Sequence, residues 1–280
     1  MSSVQTNENI REYWNARARE RDLTNTATTD DVYLRELEIE TFVAAISSLK
    51  LSPASLIVDV GCGDGYSTLG IAGHLSQFRY IGVDYSEEMI ELAKTRLANT
   101  RLAQHAGSVD LSFQCGDVLR LTNEFGDGSI DVVLTDRCLI NLESAESQAD
   151  AVRQIAGCIK PGGYLVSIEN FLEGQQALTA ARRRVDLPEI PVRWHNRFFS
   201  EPEFESMTRP FFDSLEYRNF SSTYYLVTRV VYSAMCKENG AQPDYRHPIH
   251  RIATSLPPLG NFSPIRMAIL RRNSHSSGSR

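Results

Sequence analysis

The stretch Leu56-Ile-Val-Asp-Val-Gly-Cys-Gly-Asp-Gly-Tyr66 constrains the fold of this chain more than any other. Its apolar run, Leu56 to Val60, is rich in β-branched residues and predicts a strand buried on both faces. Glycines follow at 61, 63 and 65, and a helical segment runs from Ser67 to Leu75. A strand, a tight glycine turn and a helix N-terminus let backbone amides approach a ligand closely, with the helix dipole behind them. About 20 residues later a second strand, Tyr80-Ile-Gly-Val83, ends in Asp84, an acid placed to accept hydrogen bonds from a ribose.

Strands and helical segments alternate from there. Strands are expected at 55–60, 79–84, 111–115, 130–135 and 163–168, with helices at 67–76, 86–98 and 143–158. A further helix at 201–209 and strands at 211–220 and 267–271 complete a seven-stranded set. This alternation predicts an α/β fold: a doubly wound, mostly parallel sheet with helices on both faces. Ile159 to Gly163, with Pro161 and Gly162, reads as a turn. Upstream, amphipathic patterns predict helices at 9–21 and 31–49, joined by a polar linker at 22–30, with Asp30 or Asp31 as N-cap. The connections at 171–200 and 221–263 are too long to lack structure. Helical patterns at 175–185 and 223–237 mark them as one cap over the carboxyl ends of the strands, where open α/β sheets bind ligands. The expected organisation is an N-terminal helical lid (1–50), a cofactor-binding core (51–170), the two cap insertions, remaining core elements at 201–220 and 264–272, and a disordered tail (273–280).

The Gly-x-Gly-x-Gly spacing, with Asp59 inside the preceding strand and Asp84 at the next strand end, resembles the class I S-adenosylmethionine (SAM) dependent methyltransferases. Tyr at position 66 departs from the Gly-x-Gly-x-x-Gly of dinucleotide enzymes. The resemblance covers residues 55–170 well and the remainder in outline. It implies SAM as cofactor and the Rossmann-like methyltransferase fold. It also implies roles by residue. Gly61, Gly63 and Gly65 make room for the methionine moiety, Asp59 organises that loop, and Asp84 takes the ribose hydroxyls. Tyr85 covers one adenine face, Asp117 bonds the adenine amino group, Val118 packs on the ring, and Thr135 lies beside the methionine end.

Composition narrows the acceptor. A formal net charge of −6 lacks the basic footprint of a nucleic-acid binder. No apolar run reaches the ~20 residues of a membrane span, and residues 1–8 carry no signal-peptide pattern. The five cysteines are scattered without metal-ligand spacing and read as reduced thiols. The expectation is a cytoplasmic enzyme with a small-molecule methyl acceptor, no nucleic-acid or membrane partner, and a homodimer as one possible assembly.

Methyl transfer from a sulfonium is an in-line displacement that needs alignment, exclusion of water and, for some nucleophiles, a base. Three catalytic assignments follow. His195, in Arg193-Trp-His-Asn-Arg197, has a near-neutral side chain suited to deprotonating a hydroxyl or ammonium, with a structural histidine as its alternative. Asp136 and Arg137 follow the fourth strand, Asp136 as a second base or a cap for the turn. Tyr33, Asn141, Trp194, Asn196, Arg197 and Tyr224 are assigned to substrate binding; Tyr33 reads equally well as an aromatic anchor. Arginines 182, 183, 184, 193 and 197 either form a solvated face or clamp a carboxylate or phosphate. Asp136, Glu169 and Asn170 only loosely resemble the magnesium set of catechol methyltransferases, because Glu stands where that motif has Asp, and no metal is assigned. Oxygen methylation is favoured. Nitrogen methylation, or a decarboxylase or cyclase on the same fold, are the alternatives.

Overall fold

A computed structural model describes residues 6–21, 27–100 and 109–274. In chain order the elements begin with α1 (Asn7–Arg21) and α2 (Val32–Ser48), then β1 (Leu56–Val60), α3 (Tyr66–His74), β2 (Arg79–Asp84) and α4 (Glu87–Ala98). They continue with β3 (Asp110–Cys115), α5 (Leu121–Phe125), β4 (Ile130–Asp136), α6 (Ala145–Cys158) and β5 (Ile159–Asn170). The chain closes with α7 (Leu172–Arg183), α8 (Glu201–Thr208), β6 (Phe212–Arg218), α9 (Ser222–Tyr225), α10 (Tyr232–Glu238), α11 (Ile249–Thr254) and β7 (Ile265–Arg272).

The seven strands form one sheet in the order β3-β2-β1-β4-β5-β7-β6. β1 to β5 run parallel, and β7 is antiparallel to both β5 and β6. The central strand β1 shows why its sequence lacks polar alternation. Val58 and Val60 pack with Val133, Leu165, Val152, Ile155 and Phe204 on one face. Ile57 packs with Val132, Leu134, Val166, Ile168, Phe42, Ile46 and Ile71 on the other. Successive residues of a strand point to opposite faces, so helices on both sides require apolar residues at nearly every position. Each such side chain contributes roughly 1.5–3 kcal/mol of burial.

Helix ends follow their capping residues. Asp31 accepts from the Leu34 amide at 3.1 Å to start α2, Ser86 caps Met89 to start α4, and Ser144 forms a capping box with Ser147 before α6. Two local readings change. The expected turn at 159–163 lies inside β5: pairing passes from Ile130↔Ile159 to Val132↔Tyr164, and Lys160 to Gly163 leave the ladder with Gly162 at φ +77°. The expected helix at 223–237 is interrupted, because Leu226–Val231 winds as a π-helix between α9 and α10. π-turns recur at functional sites, and this one carries Thr228 and Arg229 into the pocket described below. Ile10, near the start of α1, is fully buried. Most of the expected disordered tail, residues 275–280, lies outside the described residues, as do linker residues 22–26.

Candidate functional site

A single cavity of about 610 Å³ opens at the carboxyl ends of β1, β2, β4 and β5. At one end lie Asp59, Gly61, Gly63, Asp84, Tyr85, Asp117 and Val118, all among the residues assigned to the cofactor. The glycines are there for space and backbone sign. Gly61 (φ +77°) and Gly63 (φ +53°) take left-handed conformations. A Cβ on Gly61 would sit 2.6 Å from Cys138 Cβ and Sγ, and one on Gly63 would sit 2.9 Å from Thr28 Cγ2. Asp84 is buried, and its two oxygens accept from the amides of Gly63 and Ser86, each at 2.9 Å. Each oxygen keeps a further lone pair for a ligand hydroxyl. Burial, opposed by these two amides, pushes Asp84 up to about 6. Asp117 uses one oxygen to cap the Leu119 amide at 2.9 Å.

Asp59 accepts from Thr68 Oγ1 at 2.5 Å, and burial takes its carboxyl up to about 7. Two cofactor assignments do not reach the cavity. Gly65 is the left-handed N-cap of α3, and its missing side chain leaves room for Phe113, whose Cζ would lie 2.7 Å from a Cβ. Thr135 is fully buried one layer behind the wall, 2.6 Å from Ser167 Oγ. Glu169, near the end of β5, is likewise committed to structure: it accepts from the Leu139 and Ile140 amides at 3.0 and 3.2 Å. Among the described residues no cluster of histidine, cysteine and acidic side chains could hold a metal ion.

The other end of the cavity is lined by Asp136, Arg137, Asn141, His195 and Asn196, five of the nine residues assigned to catalysis and acceptor binding. Arg137 sits at φ +53° where the chain leaves β4. Its Nη2 meets Glu38 Oε2 at 2.8 Å and its Nε meets Asp136 Oδ1 at 3.3 Å. Burial opposes the charged guanidinium, but these two carboxylates outweigh it and raise its pKa. Asn141 donates to the Arg137 carbonyl at 2.5 Å and accepts from Trp14 Nε1 at 3.4 Å. His195 is 2% exposed, with Tyr13, Trp14 and Trp194 around its ring at centroid distances of 4.5, 5.6 and 5.4 Å. Its Nδ1 is buried with no hydrogen-bond partner among the described residues. Burial, then the charges of Arg193 and Arg17, push its pKa down to about 4.

Four acceptor assignments fall outside the lining. Trp194 is partly exposed and edges onto Tyr13 and His195. Arg197 is taken up by Gln148 and Glu203, both at 2.6 Å. Tyr33 stacks beside His250 at 6.2 Å. Tyr224 is buried behind the wall, where its hydroxyl bridges Asp31 at 2.5 Å and His250 Nδ1 at 2.8 Å. Behind these misses lies a set that was not among the assigned site residues: Asp31, read as an N-cap, together with Arg229, Tyr225, Tyr245 and His250, lines the cavity. Arg229 pairs with Asp31, 198 positions away in sequence. Asp64, inside the glycine loop, is also a finding of the fold, buried and paired with Arg35 and, at 2.7 Å, Arg96.

Residues 57–163 match the family model of the methyltransferase domain. This segment is a methyltransferase domain. The part of the cavity wall assigned to the cofactor, from Asp59 to Val118 at the ends of β1, β2 and β3, lies wholly within the match. An O-methyltransferase from Penicillium expansum, cnsE, is 33% identical over 120 residues, 42% of this chain and 40% of that protein. The ubiquinone/menaquinone biosynthesis C-methyltransferase UbiE of Geotalea daltonii is 28% identical over 127 residues, 45% of this chain and 49% of that protein. The matched segments span 32% to 61% of the curated relatives' own length. In fold, the chain resembles a SAM-dependent methyltransferase from Archaeoglobus fulgidus with a TM-score of 0.55 at 16% identity, over 85% of this chain and 94% of that one. β1 to β4 and the start of β5 fall in the matched region, β6 and β7 lie beyond it, and the segments at 171–200 and 221–263 supply most of the remaining pocket wall.

Proposed function

We propose that this protein is an enzyme that transfers a methyl group from SAM to a small molecule, with oxygen as the favoured acceptor atom. The observation that carries the reading is the continuity of one cavity from Asp84 and Asp117 to His195 and Arg229. A volume of about 610 Å³ lies within the usual ~300–1,000 Å³ of ligand sites, and its wall mixes apolar side chains with many polar and charged ones, among them Asp84, Asp136, Arg137, His195 and Arg229. The glycine cradle suits the cofactor: Gly61 and Gly63 offer the space that any side chain would close. Asp84 would hold the ribose hydroxyls, with Tyr85, Asp117 and Val118 around the adenine and Asp59 behind the loop.

When bound, SAM supplies an electrophilic methyl on a sulfonium, and the chemistry is the cofactor's. The protein's part is to align the acceptor, exclude water and accept its proton. His195 is neutral near pH 7, and its buried, unpartnered Nδ1 can accept a hydrogen bond from an acceptor hydroxyl. Asp136, tethered by Arg137, is the second acceptor for that proton. The enclosed small-molecule pocket supports a small acceptor rather than nucleic acid, and no helix among the described residues is long and apolar enough to cross a membrane.

The test is calorimetric titration with SAM, followed by mass-spectrometric detection of S-adenosylhomocysteine in the presence of phenolic, amine and activated-carbon acceptors. Binding, with product formed from a hydroxyl acceptor, is expected. Product from an amine or carbon acceptor alone would replace the oxygen assignment. SAM binding without any transfer would favour a decarboxylase or cyclase, and absence of SAM binding would overturn the reading.

A further inference from the structure

Two guanidiniums that line the acceptor half of the cavity, Arg182 and Arg193, have no carboxylate partner among the described residues. Arg137 is paired with Glu38 and Asp136, and Arg229 with Asp31. Arg182, on α7, lines the same cavity and is only 8% exposed. Its Nε donates to the Pro188 carbonyl at 2.7 Å, and its Nη1 donates to the Arg229 carbonyl. Among the described residues no carboxylate pairs with it, and its Nη2 has no protein acceptor. Two carbonyl dipoles do not replace a counter-charge for a buried cation. Burial, and then the neighbouring Arg229 charge, push its pKa down. Arg193, exposed at the rim of the cavity, also lacks a carboxylate partner among the described residues.

We propose that Arg182, assisted by Arg193, binds an oxyanion of the methyl acceptor, a carboxylate or a phosphate. The proposal rests on the methyltransferase reading and names the substrate class of that site. A planar guanidinium fork suits both groups. Leu178, Ile190, Val192, Pro243 and Tyr245 line the same cavity and supply apolar and aromatic surface, which fits an acceptor with a ring or short hydrocarbon body. Both carbonyls that hold Arg182 belong to the cap, on the segment after α7 and on the π-turn, rather than to the glycine loop. The anion therefore belongs to the acceptor, and its distal end anchors the reacting end toward Asp136 and His195.

The experiment is calorimetric titration of the protein, saturated with S-adenosylhomocysteine, using benzoate, phenyl phosphate and the uncharged isostere benzamide. One anion should bind at least about tenfold more tightly than benzamide, and which one does so separates carboxylate from phosphate. Arg182→Gln should abolish that preference, Arg193→Gln should weaken it, and Arg182→Lys should retain part of it. Because Arg182 also ties down two carbonyls, the rim variant keeps the test valid where Arg182→Gln fails to fold. Affinity for S-adenosylhomocysteine is measured in every preparation. Its absence in the wild type sinks the methyltransferase reading itself. Normal affinity without an anion preference, or a preference untouched in the folded variants, overturns the anion site alone. A selective loss of S-adenosylhomocysteine affinity in Arg182→Gln would assign the guanidinium to the cofactor carboxylate and overturn the proposal likewise.

Discussion

Arg137 Nη2 lies 2.8 Å from Glu38 Oε2, and the Glu38 side chain is completely buried within α2. Glu38 thereby fixes, from an N-terminal helix, the side chain that follows β4 at the end of the cavity assigned to the acceptor. Removing one partner of a buried ion pair leaves the other charge stranded, typically at a cost of about 3–5 kcal/mol. Glu38→Ala should lower the chemical denaturation midpoint accordingly, while Glu38→Gln, which keeps an acceptor for Arg137, should lose much less. Equal stability of the alanine variant and the wild type would show that Asp136 alone suffices for Arg137.

Asp84→Ala removes the acceptor assigned to the ribose hydroxyls and leaves the Gly63 and Ser86 amides without their partner. Hydrogen bonds to a charged group are worth about 1.5–3 kcal/mol each. The dissociation constant for SAM should therefore rise by at least tenfold in a calorimetric titration. An unchanged constant defeats the assignment.

Asp59 gives stability a pH dependence of known sign. Its carboxyl is held up to about 7 in the folded protein against 3.8 for a free side chain. Between those values the folded state binds the extra proton, so this contribution is fully present below pH 3.8 and is lost as pH rises through about 7. Asp59→Asn cannot ionise and still accepts from Thr68. Its melting temperature, relative to the wild type, should be higher at pH 8 than at pH 5. A difference that does not change with pH would place the Asp59 titration elsewhere.

Burial holds His195 neutral across the physiological range, with its pKa near 4 rather than 6.5. The rate profile should then show no limb near 6.5 that belongs to this residue. As the proton acceptor, its replacement in His195→Ala should cut kcat by about 10²-fold or more while SAM affinity stays intact. Full activity would make His195 an aromatic spacer between Tyr13, Trp14 and Trp194.

That the residues assigned to the cofactor would share one cavity wall was legible because one short path of chain makes it. Asp59, Gly61, Gly63 and Asp84 fall at strand ends whose positions follow from apolar runs, and those runs were unambiguous. Gly65 and Thr135 share the same signals but stand back from the cavity, Gly65 against Phe113 and Thr135 against Ser167, and spacing alone does not resolve that. The acceptor end was only partly legible. Asp136, Asn141 and His195 stood out by residue type near an expected strand end or in the cap. Tyr224 was placed in the right segment but lies behind the cavity wall, where its hydroxyl is bound to Asp31 and His250 Nδ1, partners remote in sequence.

The sequence by itself determined the alternation of strands and helices, the glycine turn and the acids flanking it, since each depends on local backbone preference and on periodic burial. Only the tertiary structure decided which charges meet. Glu38 and Arg137 are 99 positions apart, and Asp31 and Arg229 are 198 apart. Ion pairing depends on proximity in space and on shared exclusion from water, and neither is encoded in the neighbours along the chain. The same reason left Arg182 undistinguished from arginines 183, 184, 193 and 197 in its basic run, until folding buried it beside a cavity without a carboxylate partner among the described residues.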